Sequence, residues 1–265
     1  MKVERLSPAL GAVIHGLSLT DLTDSQVNEL DQLLDHHGVL FFRDQQLEPG
    51  SLLRLAARFG KPTPYPFVQG LDDYPEVIEV IKEPEDRINF GGVWHSDTAY
   101  LDKPAMGALL YAVEVPETGG DTLFADASLA YQALSPGLQK LLSGLTAINT
   151  SDKAAISATR PGQPKRGLSA AHPVIRTHPR NGRKILFVDR AHTTHFSGWT
   201  IEESTPLLEQ LFDVIERPEH GCRFHWTPGS LAFWDNRRCQ HYPLNDYHGE
   251  RRRMLRVSLA GELPV

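Results

Sequence analysis

Apolar residues recur with helical spacing at Val27, Leu30, Leu33 and Leu34, directly behind Thr23 and Gln26, which stand three apart as in a capping box. The pattern predicts a helix closed by Gly38, then a buried strand at 39–42, where Val, Leu, Phe and Phe follow one another. Leu52, Leu53, Leu55 and Ala56 supply the apolar side of a second helix over 49–58. Past Val77 the pattern changes to short apolar runs between turn residues, at 77–81, 106–113 and 122–124. Ser135-Pro136 opens a short helix through Leu142, because proline suits the first helical position. Pro179-Arg180-Asn181-Gly182 joins two predicted strands, 173–177 and 184–188, as a hairpin. A second capping box, Thr200 to Glu203, starts a helix ending near Arg217-Pro218, and strands follow at 222–226, 230–234 and 254–259. Short strands with helices near both ends imply a mainly β protein with flanking α-helices, a sandwich or barrel. No repeat or long linker interrupts the pattern, so a single domain over 1–265 is expected. The polar, basic stretch 151–171 fits no element, and a loop of that length in a compact domain reads as an active-site lid.

Composition narrows the partners. At 40% hydrophobic and 23% charged, the chain has an ordinary globular profile. Its formal net charge of -6 gives the molecule as a whole no attraction to nucleic acid or anionic membrane. The only cysteines, Cys222 and Cys239, form no metal-type pair and fit a reducing compartment. The N-terminus carries charges and a proline where a signal peptide needs apolar residues, and no apolar run reaches the roughly 18 to 20 residues of a bilayer span. A cytoplasmic location is the expectation.

The chemistry centres on Trp94-His95-Ser96-Asp97. Residues two apart on an extended segment point the same way, so His95 and Asp97 can meet one ion, with His241 as a distant third ligand. Two imidazoles and one carboxylate on one face leave positions open for cosubstrate and O₂, which suits non-haem Fe(II) enzymes. A structural zinc site would need a fourth protein ligand. Arg252 follows His241 on the last predicted strand. A dicarboxylate chelating iron at one end needs a cation at the other, and arginine meets a carboxylate with two parallel hydrogen bonds. Alternation puts Arg252, Met254 and Arg256 on one strand face and Arg251, Arg253, Leu255 and Val257 on the other. If the first face lines a pocket, one arginine can clamp the cosubstrate while the other meets an anionic substrate group. The alternative is that Arg251-Arg252-Arg253 is a solvated basic cluster.

Three blocks, Trp94 to Asp97, Gly119-Gly120-Asp121-Thr122, and Trp234-Asp235-Asn236-Arg237 through His241 to Arg252, closely resemble the taurine dioxygenase family, which includes alkylsulfatases and chlorophenoxyalkanoate dioxygenases. The resemblance runs over nearly the whole chain. It implies a double-stranded β-helix (jelly roll) with Fe(II) held by His95, Asp97 and His241, and 2-oxoglutarate and O₂ as cosubstrates. It also implies that Thr122 and Arg252 bind the distal carboxylate of 2-oxoglutarate and that Arg256 meets the substrate's anionic group. An aspartate at position 97 favours hydroxylation over halogenation, with succinate and CO₂ as coproducts. Where sulfonate-using members place a histidine and an asparagine near the substrate, this chain has Tyr65 and Gly91, with Asn89 two residues away. Tyr65 and Asn89 are therefore the substrate candidates, and taurine itself is disfavoured. The expected substrate is a small anion: a sulfonate, a sulfate ester, or a carboxylate such as a phenoxyalkanoate. A homo-oligomer that binds neither nucleic acid nor membrane is expected. His172, His178, His192, His195, His225 and His248 read as surface or structural residues. The rival reading, a catalytically silent jelly-roll binding protein or sensor, has no use for open iron positions.

Overall fold

The computed structural model describes residues 1–153 and 167–265. An eight-stranded sheet forms the larger layer. Its strands run in the order Lys2–Arg5, Ala12–His15, Val39–Phe42, Leu231–Asp235, Gly107–Glu114, Arg252–Leu259 and Pro62–Thr63, with Val77–Lys82 also pairing on Arg252–Leu259. All neighbours are antiparallel except Ala12–His15 against Val39–Phe42. A smaller sheet of Gly221–Phe224, Thr122–Asp126 and Cys239–Pro243 faces it. Val39, Phe41, Ala112, Trp234 and Met254 from the first sheet pack with Phe124, Phe224 and Cys239 from the second in one buried cluster. This two-layer arrangement is the expected jelly roll.

Period-two alternation sorts each central strand between two cores. On Arg252–Leu259, Met254 points into the inter-sheet space, while Leu255, Val257 and Leu259 pack outward with the helices Asp24–His37 and Pro49–Ala57. Leu231–Asp235 behaves alike: Ala232 and Trp234 face in, Leu231 and Phe233 face out. Any polar residue sharing Met254's face is thereby delivered to the inter-sheet cavity. A third cluster lies under the helix Ile201–Ile215.

Most predicted elements form within a residue or two of their expected bounds, and both capping boxes are present, at Thr23–Gln26 and Thr200–Glu203. The expected strand at 173–177 is divided: Ser169–Pro173 pairs with Thr146–Thr150, and Ile175–Thr177 pairs with Lys184–Leu186. Of the expected lid at 151–171, Ser169 to Ala171 form part of a paired strand, and 154–166 lie outside the described residues. Among the described residues no helix is long and apolar enough to cross a membrane.

Candidate active site

His95 and His241 lie far apart in sequence but meet through their backbones. His95 N–H donates to the His241 carbonyl at 3.1 Å, and His241 N–H donates back at 2.9 Å. This isolated bridge sets the two rings 4.1 Å apart between centroids. Asp97 is held by a second clasp: its N–H donates to Asn236 Oδ1 at 2.7 Å, while Asn236 Nδ2 donates to the carbonyls of Asp97 and Ala105. The next residue, Thr98, takes a left-handed φ of 54°, rare for a β-branched side chain.

The three side chains converge. Asp97 Oδ1 stands 3.6 Å from His95 Nε2 and 3.9 Å from His241 Nε2. Bonds of about 2.0–2.2 Å to one ion put neighbouring donors about 3 Å apart, so a small inward shift closes the set. His95 Nδ1 sits 2.7 Å from the Val93 carbonyl, which can only accept; the ring proton is on Nδ1, and the Nε2 lone pair is left for a metal. Burial depresses the pKa of both histidines, against the pull of Asp97, and keeps them neutral. Burial alone would raise the Asp97 carboxyl, but the opposing pull, largest from the charge of Arg256 and aided by its hydrogen bond, holds the group well below the usual carboxylate range. All three donors are thus in the protonation state a divalent ion requires. Asp97 Oδ2 and His241 Nδ1 are buried with no hydrogen-bond partner. Asp97 Oδ2 is a free carboxylate oxygen of the kind an ion takes up. The donor set fits a mononuclear Fe(II) centre.

Two cavities flank this triad. A small one, about 30 Å³, is lined by Thr122, Phe124, Trp234, His241, Arg252 and Arg256. Arg252 is 5% exposed, and its Nε and Nη2 have no hydrogen-bond partner. Burial lowers its pKa, opposed only by Tyr247 and Asp121 at longer range. Thr122 Oγ accepts a hydrogen bond from the Trp226 indole at 3.0 Å, so its own O–H can point elsewhere. Trp226 also lies 5.7 Å from the Arg252 guanidinium. Gly119 and Gly120, at φ 83° and 68°, turn the chain so that Thr122 begins its strand at the cavity, and Gly120 N–H is fixed by Asp246. Arg256 reaches the pocket as alternation predicts, and its Nη2 pairs with Asp97 Oδ1 at 2.7 Å. By contrast, Arg251 and Arg253 turn outward to Glu83, Glu114 and Glu79.

The second cavity, about 110 Å³, is largely apolar, with Tyr65, Ile88, Phe90 and Val93 among its walls and His95 and Asp97 at its base. Gly91 crowds the ring of His95: a Cβ there would lie 2.8 Å from Cε1. The substrate candidates Tyr65 and Asn89 both line this cavity. Tyr65 accepts a hydrogen bond from the Tyr100 hydroxyl, and Asn89 Nδ2 donates to the carbonyls of Pro243 and Leu244. Two contributors, Asn236 and Trp226, had no role assigned from sequence, and His192, expected at the surface or in a structural place, is buried on the cavity wall. Asn236 belongs to the block Trp234 to Arg237, and its clasp on Asp97 spans 139 residues of sequence.

The profile of "Taurine catabolism dioxygenase TauD, TfdA family" matches residues 2–258. The chain belongs to this family. Its relatives include an alpha-ketoglutarate-dependent sulfonate dioxygenase of Saccharomyces cerevisiae, 34% identical over 100% of this chain and 68% of the yeast protein. An alpha-ketoglutarate-dependent sulfate ester dioxygenase of Pseudomonas putida is 31% identical over 100% of this chain and 91% of its own. The alpha-ketoglutarate-dependent 2,4-dichlorophenoxyacetate dioxygenase of Cupriavidus pinatubonensis is 31% identical, covering 95% of this chain and 94% of its own. Among solved structures, a taurine dioxygenase from Burkholderia xenovorans superposes with a TM-score of 0.87 at 32% identity, covering 100% of this chain and 92% of that one. AAD-2 in complex with Mn(II) and N-oxalylglycine gives 0.86 at 25% identity, covering 100% of this chain and 99% of that one. As a member of the TauD, TfdA family, the protein is an alpha-ketoglutarate (2-oxoglutarate)-dependent dioxygenase, with Fe(II) and 2-oxoglutarate as its cofactors.

Proposed function

We propose that this dioxygenase hydroxylates a small anionic organic substrate, a sulfonate, a sulfate ester or a carboxylate such as a phenoxyalkanoate, with His95, Asp97 and His241 holding the iron. The observation that carries the reading is Arg252: a buried guanidinium with no carboxylate bonded to it, beside Thr122, on one side of three convergent metal donors. A buried cation in that condition calls for an anionic ligand. The distal carboxylate of 2-oxoglutarate meets the need, leaving the keto-acid end toward the triad. Bound Fe(II), together with 2-oxoglutarate and O₂, supplies the oxidising chemistry, with succinate and CO₂ as coproducts.

The chain's own residues do the rest. His95 presents Nε2 because Val93 fixes its tautomer, and Arg256 keeps Asp97 ionised. Arg252 and Thr122 set the direction of the cosubstrate by charge and hydrogen bonding. The apolar walls at Tyr65, Phe90 and Val93 exclude water and suit the organic body of a substrate. Arg256, on the wall of the small cavity and 5.5 Å from the Tyr65 ring of the larger one, is the cation for the substrate's anionic group. The sulfonate, sulfate-ester and phenoxyacetate relatives support the choice of class.

Succinate release under air, measured with hexyl sulfate, 1-hexanesulfonate and 2,4-dichlorophenoxyacetate, tests this reading. At least one compound is expected to stimulate turnover, and Asp97→Ala is expected to abolish it together with tight Fe(II) binding. Full turnover in Asp97→Ala would overturn the ligand assignment.

A further inference from the structure

The segment Trp94 to Asp97 is held along both of its edges. In extended chain, successive residues turn their N–H and C=O groups to opposite sides. His95 gives both of its groups to His241. Trp94 and Ser96 face the other way, toward the turn over 189–193. There the Trp94 carbonyl accepts from Ala191 N–H at 3.2 Å, and Ser96 N–H donates to Asp189 Oδ2 at 3.4 Å. The other carboxylate oxygen, Asp189 Oδ1, accepts from His192 N–H at 2.7 Å. One side chain thus ties the turn to the backbone between His95 and Asp97. Asp189 is 2% exposed and Ser96 4%, so the Ser96 amide is remote from water and needs an acceptor from the protein. The turn is itself braced. Asp189 N–H donates to Thr193 Oγ1 at 2.9 Å, Thr193 N–H donates to the Asp189 carbonyl at 3.0 Å, and Thr193 Oγ1 donates to Asn149 Oδ1 at 2.7 Å. Asp189 therefore has a fixed base from which to hold Ser96.

We propose that Asp189 is a positioning residue of the iron centre: by holding the Ser96 amide, it sets the direction in which His95 and Asp97 present their donors to the ion. The proposal rests on the functional reading above, which makes those two residues ligands. Residues two apart share a direction only while the link between them stays extended, so a rotation at Ser96 moves both donors relative to His241. Asn236 clasps the segment at Asp97, whereas Asp189 acts at the residue between the two ligands. Groups that orient ligands without touching the ion govern its affinity nearly as strongly as the ligands do.

The test uses the metal-free protein with Asp189→Ser and Asp189→Asn, and Asp97→Ala as a reference. A serine hydroxyl at 189 can still accept from His192 N–H three residues on, but it is too short to hold Ser96 as well. Asparagine keeps the length and offers one oxygen for the two donors. Fe(II) affinity is read by anaerobic calorimetry, donor geometry by the electron paramagnetic resonance spectrum of Cu(II) bound in place of iron, and stability by urea unfolding. Asp189→Ser is expected to weaken Fe(II) binding about tenfold to a hundredfold and to shift the Cu(II) spectrum, with Asp189→Asn falling between it and the unaltered protein. Unchanged Fe(II) affinity and an unchanged Cu(II) spectrum in Asp189→Ser overturn the proposal, and a loss of urea stability beside them makes Asp189 a structural residue only. Should Asp189→Ser not fold, Asp189→Asn decides on the same two readouts. Tight Fe(II) binding retained in Asp97→Ala overturns the ligand assignment beneath the proposal, an outcome distinct from a silent Asp189 substitution.

Discussion

Arg252 and Arg256 are four residues apart on one strand and share its inner face, yet their surroundings differ. Arg256 has Asp97 at 2.7 Å; Arg252 has no carboxylate bonded to it. Arg256's charge is therefore spent partly on the triad, whereas Arg252's is available to a ligand. Replacing Arg252 by alanine should raise the 2-oxoglutarate requirement steeply, since losing one partner of a buried hydrogen-bonded charge pair costs on the order of 2–5 kcal/mol. Arg256→Ala should weaken substrate binding more than 2-oxoglutarate binding. KM values for both compounds in both variants check the split, and an unchanged 2-oxoglutarate KM in Arg252→Ala would remove that residue from the role. Much of this was legible from residues alone, because alternation already set Arg252 and Arg256 against Arg251 and Arg253. The open question of a solvated cluster resolves by face: Arg251 and Arg253 are the outward ion-paired pair, and Arg252 is buried. The burial of His192 on the cavity wall was not legible, since a place on a cavity wall has no sequence spacing.

At the scale of elements, the site depends on how two loops are joined to two sheets. The strand Cys239–Pro243, which carries His241, escapes a hydrophobic reading because Cys-Gln-His-Tyr-Pro has no run of apolar residues. It is fixed instead by its ladder to Thr122–Asp126, where His241 lies opposite Phe124. The N-terminal pair Lys2–Arg5 and Ala12–His15 escapes for a related reason, since its first strand is wholly exposed and mixed in polarity. Elements announced by caps or by apolar runs were legible; those held by cross-strand partners distant in sequence were not. The Asn236 clasp is the sharpest case, joining the turn after Leu231–Asp235 to the Asp97 segment through three buried hydrogen bonds. Asn236→Ala would leave three backbone groups unpaired, a loss on the order of 3 kcal/mol in unfolding free energy. Chemical denaturation with anaerobic Fe(II) titration should show lower stability and weaker iron binding together. A variant that lost neither would show that Asp97 is placed without the clasp.

Across the whole molecule, burial reaches titratable groups at the site and on the elements around it. His95, His241, His192 and His172 are all shifted down, each mainly by burial, and His192 reaches about 4 from the ordinary 6.5. Unfolding exposes these rings to water, where they take up protons as the pH falls below 6.5, while the folded chain resists protonation. The unfolded state then binds more protons, so stability falls with pH across that window. Asp189 works in the opposite direction: burial lifts its carboxyl to about 6, so the fold gains relative stability as the pH drops through that value. His37 is shifted down in the same way, and five histidines against the Asp189 carboxyl leave a net acid destabilisation between pH 6.5 and 4. For His192 alone, the shift from 6.5 to about 4 corresponds to about 2 kcal/mol lost between pH 7 and pH 4.5. Urea unfolding of the metal-free protein in chelator, at those two pH values, should show the drop. His192→Asn should show a smaller one by about that amount, since its amide does not titrate. Parallel pH dependence in the two proteins would mean that His192 is protonated as readily in the fold as in the unfolded chain, contrary to its burial.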